Sequence, residues 1–307
     1  MKSLIFLNPY AKGGRLFSSI YKHKRKLEEI LGNIEFFGST REDEVQRLKN
    51  DLISSKYSKI IIAGGDGTIN YVLNNFIIPL NLKIPLGNLP IGTGSDWARA
   101  LFIPKKLQDA AKWLAQAQTL NCDLGLVEYK VNGGNKKHYF LNIASFGLSG
   151  KVASFVNKCH SRGRSVFLRA TIITLFTYIP SSLKIVKDGN LFFEGKNYLV
   201  AIANGPIFGG GMVIAPQAKI NDGIFDLVLV KSTSFFSFLK GLFLVFRGKH
   251  LNHPAIVSSK GESFEIFSEK NFYFEMDGED HITSKASIIV KKNHIPLLVD
   301  LKNAPII

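Results

Sequence analysis

The stretch Ile60-Ile61-Ile62-Ala63-Gly64-Gly65-Asp66-Gly67-Thr68-Ile69-Asn70 decides the fold. An apolar run without alternation enters two glycines, an acid, a third glycine and a hydroxyl. Apolar residues then recur at helical spacing from Ile69 to Phe76. A β-branched run closed by glycine reads as a strand covered on both faces, as in a parallel sheet. Glycines let the backbone approach a ligand closely. The amides of such a loop can hold phosphate oxygens. Asp66 repels a bare phosphate, so its natural role is to hold Mg²⁺ or a ribose hydroxyl. An ordinary turn with an Asp cap is the plainer reading, but the full GGDGT pattern after a buried strand favours a ligand.

The same rhythm surrounds this unit. Leu4–Leu7, Ile34–Phe37 and Ile84–Leu89 are short apolar runs, and residues 16–31 and 45–53 have helical spacing. A β-α-β-α-β series with fully apolar strands predicts a parallel sheet, whose ligand loops lie at the carboxyl ends of the strands. Three further loops fall there. Gly92-Thr93-Gly94-Ser95-Asp96 offers glycine backbone, a hydroxyl and an acid, although Ser95 or Asp96 can equally cap a helix. Asn8-Pro9-Tyr10-Ala11-Lys12-Gly13-Gly14-Arg15 offers glycine backbone and two cations, or a plain surface turn. Thr40 either contacts a ligand or caps the next helix. The loop at Gly92–Asp96 is neither a Walker A loop nor a GxGxxG fingerprint.

Beyond Cys122 the texture changes. Short strand-like runs at 124–131, 138–143, 183–187, 191–203, 224–230, 262–267, 272–276 and 286–290 are separated by Gly, Asn, Asp and Ser. Asn132-Gly133-Gly134 is a hairpin signal. This predicts an all-β second domain, interrupted by helices near 150–178 and 234–247, with 295–301 rejoining the first sheet, so the fold class is α/β plus all-β. Ala170–Leu183 is too short to span a membrane and reads as a buried helix. Asp222-Gly223 and Asp277-Gly278 read first as turns, but paired carboxylates at 222–226 and 275–280 can also abstract a proton or hold a metal. Five phenylalanines with a basic end at 234–247 form either a core helix or an interfacial one. Lys151, Lys158, Arg162, Arg164 and Arg169 form a solvated face or an anionic-headgroup site.

Lys and Arg total 39 against 24 Asp and Glu, a net charge of +15. This points to an anionic partner. Nucleic acid is disfavoured because no helix-turn-helix, zinc-finger or RNP signature occurs. His250 and His253 form HxxH without the glutamate of a zinc motif. Two cysteines, Cys122 and Cys159, with no CxxC pair, fit a reducing cytosol and exclude a disulfide scaffold.

GGDGTIN, LPIGTGSDWARAL, FLNIASFGLSG, IANGPIFGGGMVIAPQAKINDGIFDL and FEMDGE occur in this order. Together they resemble the catalytic domain of diacylglycerol kinases and soluble bacterial lipid kinases; sphingosine and ceramide kinases are similar. GGDGT alone is shared with NAD kinases and phosphofructokinases, and the later motifs point to lipid kinases. The resemblance implies a three-layer α/β ATP-binding domain over 1–122, with about 291–307 returning to it. It implies a β-sandwich lipid-substrate domain over 123–290 and an active site between the two. ATP contacts are implied at Thr40, at Gly65, Asp66, Gly67, Thr68, Ile69, Asn70 and Tyr71, and at Thr93, with Asn8, Gly64 and Gly94 on the same loops. Glu279 matches the catalytic acid of the DGE motif. Asp222 is either linked to it in catalysis or, with the carbonyls of Lys219 and Ile224, holds Mg²⁺. Asp66, Asp96 and Asp123 match acids of a Mg²⁺-linked network. Tyr71 departs from the usual glutamate. The expected activity is transfer of the ATP γ-phosphoryl group to a lipid hydroxyl such as that of diacylglycerol, by a cytoplasmic enzyme touching an anionic membrane surface. A homodimer is compatible with it. The alternatives are a phosphotransferase on a soluble substrate such as NAD and a non-catalytic nucleotide- or lipid-binding regulator.

Overall fold

The computed structural model describes residues 2–8, 20–91, 95–131, 134–158 and 164–302. The chain divides into two compact units, Met1–Cys122 with His294–Pro305, and Asp123–Asn293. Lys12, Arg15, Thr93, Gly94, Cys159 and Arg162 lie outside the described residues.

The first unit is α/β. Its strands are β1 (Lys2–Leu7), β2 (Ile34–Phe37), β3 (Tyr57–Ala63) and β4 (Leu86–Leu89), joined by helices α1 (Lys24–Leu31), α2 (Glu42–Ile53) and α3 (Asp66–Val72). Helices α4 (Asp96–Ala100) and α5 (Leu107–Gln116) follow. The order β4-β3-β1-β2 is parallel throughout. Leu4–Leu7 and Ile60–Ala63 are almost fully buried, which explains their unbroken apolar runs; each large side chain so buried contributes about 1.5–3 kcal/mol. The strand order reverses between β1 and β3, so the ends of these two strands form a topological switch point, where open α/β sheets bind ligands. The helix predicted over Ile69–Phe76 is α3 followed by a π-helical turn at Leu73–Ile77. Asn74 Nδ2 donates to the Asn70 carbonyl at 3.1 Å there.

The second unit is β-rich. Its strands are β5 (Gln118–Val131), β6 (Gly134–Phe140), β7 (Ile143–Gly147), β8 (Ser181–Lys187), β9 (Asn190–Ala203), the short pair β10 (Ile207–Phe208) and β11 (Met212–Val213), then β12 (Phe225–Lys231), β13 (Ile256–Gly261), β14 (Ser263–Met276) and β15 (Glu279–Val299). The chain enters this unit within β5 and leaves it within β15. The order is β13-β12-β9-β7-β14-β15 and antiparallel. Alternate residues of one strand serve different cores, as the two-residue period requires. Val200 and Ile202 of β9 join a sheet-on-sheet core with Phe140, Phe225 and Phe274. Leu199, Ala201 and Ala203 face a second core with helices α6 (Leu148–Asn157), α7 (Arg164–Thr177) and α8 (Phe235–Val245).

Two expectations need correction. The stretch Ala170–Leu183 is not one buried helix: α7 ends at Thr177, β8 begins at Ser181, and Ile173, Phe176 and Ile179 are exposed. Pro180 cannot continue a helix, and a segment apolar on every side cannot bury all of it against one sheet. The apolar runs 262–267 and 272–276 are one strand, β14, bulged between Phe267 and Phe272. Likewise 286–290 and 295–301 belong to one strand, β15, as far as Val299.

Candidate active site

The glycine–acid loop follows β3 directly. A Cβ on Gly64 would lie 2.4 Å from Thr68 Oγ1, so only glycine fits there. Thr68 is buried, and Asn8 Nδ2, at the end of β1, donates to its hydroxyl at 3.4 Å across the switch point. Asp66 does something the sequence does not reveal. Its Oδ2 accepts from the Asp96 amide at 2.8 Å, and its Oδ1 accepts from the Trp97 amide at 3.1 Å and Ser95 Oγ at 3.3 Å. The carboxylate thus fastens the first glycine loop to the start of α4, next to the second. Ser95 caps α4 by accepting from the Ala98 amide at 3.2 Å. Asp96 is buried and paired with Arg99.

Asn88 completes this arrangement and is absent from the sequence-derived set. Its Nδ2 donates to the carbonyls of Ile62 and Gly64 at 3.0 and 3.1 Å, and its Oδ1 lies 3.2 Å from Ser95 Oγ, whose single hydrogen it shares with Asp66. The available signal was a lone amide inside the apolar run Leu86–Leu89. Thr40 is exposed and caps no helix among the described residues; Ser39 Oγ accepts from the Arg41 amide. Tyr71 rests on Phe6 and Phe76, with ring centroids 6.2 and 6.1 Å away, and keeps 41% of its surface exposed. Gly65, Gly67, Ile69 and Asn70 form the loop and first turns of α3, with Ile69 and Asn70 buried.

In the second unit the acid-rich segment is the β14–β15 hairpin. Met276 pairs with Glu279 across the two-residue turn Asp277-Gly278, whose φ values are +50° and +92°. Two positive φ angles demand this kind of dipeptide. Asp277 accepts from the amides of Leu141, Asn142 and Ile143 at 2.8, 3.0 and 3.0 Å. Glu275 accepts from Ser145 Oγ and from the Gly278 amide, the latter at 2.8 Å. Asp280 accepts from Asn157 Nδ2 at 2.8 Å. Glu279 accepts no hydrogen bond among the described residues. Burial, then the charges of Asp277 and Asp280, raise its pKa above the ordinary 4.5. The cluster therefore holds one half-buried carboxylate free to take a proton. Beside it, the Tyr129 hydroxyl lies 3.3 Å from His281 Nδ1, and burial pushes His138 down to about 4.

The Asp222 turn is a separate feature of the same unit. Asp123 is fully buried, with Oδ2 accepting from the Gly223 amide at 2.6 Å and Oδ1 from the Asn293 amide at 2.7 Å. It shapes the turn that presents Asp222. Lys260 Nζ stands 3.7 Å from Asp222 and 3.3 Å from Asp226. Among the described residues, no three His, Cys, Asp or Glu side chains gather as metal ligands. One carboxylate at Asp222 with the main-chain carbonyls of Lys219 and Ile224 is nevertheless an all-oxygen set, which suits a hard cation. Both oxygens of Asp66 and of Asp123 are engaged by hydrogen-bond donors, which makes these two acids poorer ligands.

Glycine loops at the switch point of a parallel sheet, followed by a β-sandwich carrying a half-buried carboxylate of raised pKa, are the parts of a nucleotide-dependent phosphotransferase. Residues 2–127 match the diacylglycerol kinase catalytic domain, and residues 142–299 match the YegS C-terminal NAD kinase β-sandwich-like domain. The chain belongs to this two-part family. It is 29% identical over 266 residues to the diacylglycerol kinase of Bacillus subtilis, covering 83% of this chain and 84% of that one. It is 28% identical over 326 residues to the diacylglycerol kinase of Staphylococcus carnosus, covering 100% and 98%. A crystal structure of a diacylglycerol kinase from Bacillus anthracis superposes with a TM-score of 0.71 at 24% identity, covering 98% and 97%, and shares the fold.

Proposed function

We propose that this protein is an ATP-dependent lipid kinase that transfers the γ-phosphoryl group of ATP to a lipid alcohol such as diacylglycerol. The observation that carries this reading is Glu279, the one carboxylate of its cluster that accepts no hydrogen bond among the described residues and whose pKa is raised by burial. Phosphoryl transfer depends mainly on positioning and charge neutralisation, with a base to orient the attacking hydroxyl. In the proposed reaction the lipid hydroxyl forms a bond to the γ-phosphorus and its proton passes to Glu279. The bridging P–O bond breaks and ADP leaves with the electron pair.

The first unit binds the donor. Asn8, Thr40, Gly64 to Tyr71, Thr93 and Gly94 are assigned to ATP, with Asp66 and Asn88 fixing the loops. The second unit is the lipid-substrate domain. Mg²⁺ supplies charge neutralisation at the phosphates when bound. Asp222, with the Lys219 and Ile224 carbonyls, would hold it, and Asp66, Asp96 and Asp123 are assigned to the acidic network linked to it. An apolar cavity of about 70 Å³ in the second unit, lined by Leu148, Val152, Met212, Ile214, Phe238 and Leu242, supports a substrate with a hydrocarbon chain.

Among the described residues no helix is long and apolar enough to cross a membrane. Peripheral contact with an anionic membrane from the cytoplasm is proposed instead. Phe176 and Phe236 are 70% and 80% exposed, and Ile179 and Phe243 are exposed beside them in sequence. The rings of Phe176 and Phe235 lie 4.8 Å apart, which links α7 to α8. Exposed Lys158, Arg169, Lys240 and Arg247 lie on or next to these helices, and cations near such a surface contribute about 1 kcal/mol each.

The test is incubation with ATP and fractionated lipids, with NAD as a parallel acceptor, and identification of the product by mass. A phosphorylated lipid is expected. Phosphorylated NAD, or bound ATP with no product, overturns the reading.

A further inference from the structure

Two residues that line the apolar cavity of the second unit each carry a buried side-chain atom with no hydrogen-bond partner among the described residues. His250 is 1% exposed and lines the cavity. Its Nε2 lies 2.9 Å from the Ile214 carbonyl oxygen, so that nitrogen carries the hydrogen and Nδ1 is a bare acceptor. Nδ1 has no hydrogen-bond partner among the described residues. Burial pushes the ring's pKa down, so the ring stays neutral. Ser149, at the start of α6, also lines the cavity and is 5% exposed, and its Oγ is likewise unpartnered. The cavity's other imidazole differs. His253 Nδ1 accepts from the Ala255 amide at 3.2 Å and its Nε2 lies 3.3 Å from Ser237 Oγ.

A buried polar group without a partner costs about 1–3 kcal/mol. A cavity that served only hydrocarbon would be better lined by carbon. The two atoms also define what can satisfy them. A bare imidazole nitrogen needs a donor, and neither an ester carbonyl, an ether oxygen nor a double bond donates. A hydroxyl donates and accepts, so it can pair with His250 Nδ1 or with Ser149 Oγ. Glu279 is not among the lining residues, so this hydroxyl is distinct from the one that is phosphorylated.

We propose that the cavity receives an aliphatic chain bearing a free hydroxyl, recognised by His250 Nδ1 or by Ser149 Oγ, so that hydroxylated lipids are the preferred occupants. The proposal rests on the lipid-kinase reading for its place in turnover but not for binding, and the two are tested apart. Binding of stearate and of positional isomers of hydroxystearate is measured on the full chain. At least one isomer should bind about tenfold tighter than stearate, the equivalent of one satisfied buried hydrogen bond. Ser149→Ala or His250→Gln should reduce that ratio; Gln retains a donor for the Ile214 carbonyl while removing the Nδ1 acceptor. Equal binding of stearate and every isomer overturns the proposal, as does a preference that survives both variants. If His250→Gln does not fold, the parent chain's preference among the isomers decides. The kinase assay then compares diacylglycerols with and without a chain hydroxyl. Selective binding with no phosphorylated lipid contradicts the kinase reading alone, whereas turnover with no selectivity in binding contradicts this proposal alone.

Discussion

The two glycine–acid motifs, Gly64–Thr68 in the first unit and Asp277–Glu279 in the second, use their aspartates in the same way. Asp66 accepts three hydrogen bonds from residues 95–97, and Asp277 accepts three from residues 141–143. Each fastens its own loop to a segment distant in sequence. The difference lies in what is left over. Beside Asp66 the loop offers backbone, hydroxyl, amide and an aromatic ring, which suits binding. Beside Asp277 stands Glu279, which accepts no hydrogen bond among the described residues and has a raised pKa, which suits proton transfer. In motifs of this kind the aspartate next to glycine organises the site, and the chemistry falls to a neighbour.

The sharpest way to break this contrast is Glu279→Gln. General-base catalysis is worth about 10²–10⁴-fold, so turnover should fall about 10³-fold while ATP binding, measured by calorimetry, stays within about twofold. The sign on stability is opposite. An acid whose folded pKa lies above its unfolded 4.5 loses stability as pH rises between the two values, so the glutamine variant should unfold no earlier than the parent at neutral pH. Asp277→Ala should do the reverse, leaving three buried amides unpaired at a cost of about 3–5 kcal/mol, read by urea unfolding. An unchanged midpoint would refute its organising role.

Burial of His138 predicts a pH effect of similar size. Its folded pKa is about 4 against 6.5 when free. The unfolded chain therefore binds the extra proton between these values, and stability is lost as pH falls from 6.5 towards 4, by at most about 3 kcal/mol. His138→Phe should flatten that part of the stability–pH curve. Asp66→Ala should have the smallest effect on folding, about 2 kcal/mol, and raise the KM for ATP about tenfold. Asp66→Asn, which keeps an acceptor oxygen for the 95–97 segment, should lie between the two. An alanine variant with unaltered KM would show that the two glycine loops need no fastening.

The parallel sheet and its loops were legible because their signals are local. Ile60–Ala63 running into Gly64 is both a buried strand and a loop, whatever surrounds it. The Asp277-Gly278 turn was legible for the same reason. What each acid does there was not, because the partners of Asp66 and Asp277 lie about 30 and 135 residues away. Asn88 was overlooked because a single amide in a strand has no motif; its value comes from meeting the ends of β3 and the α4 cap together. The exposed face of α7 was misread because apolar composition alone cannot separate a buried helix from one left open to solvent.

The central claim is that Glu279 takes the proton from a lipid alcohol. Its most direct test is the pH dependence of kcat/KM for lipid phosphorylation, measured where unfolding is checked independently. The account predicts an acidic limb with its midpoint above 4.5, activity falling as Glu279 becomes protonated. A profile that stays flat through pH 4.5 would contradict it.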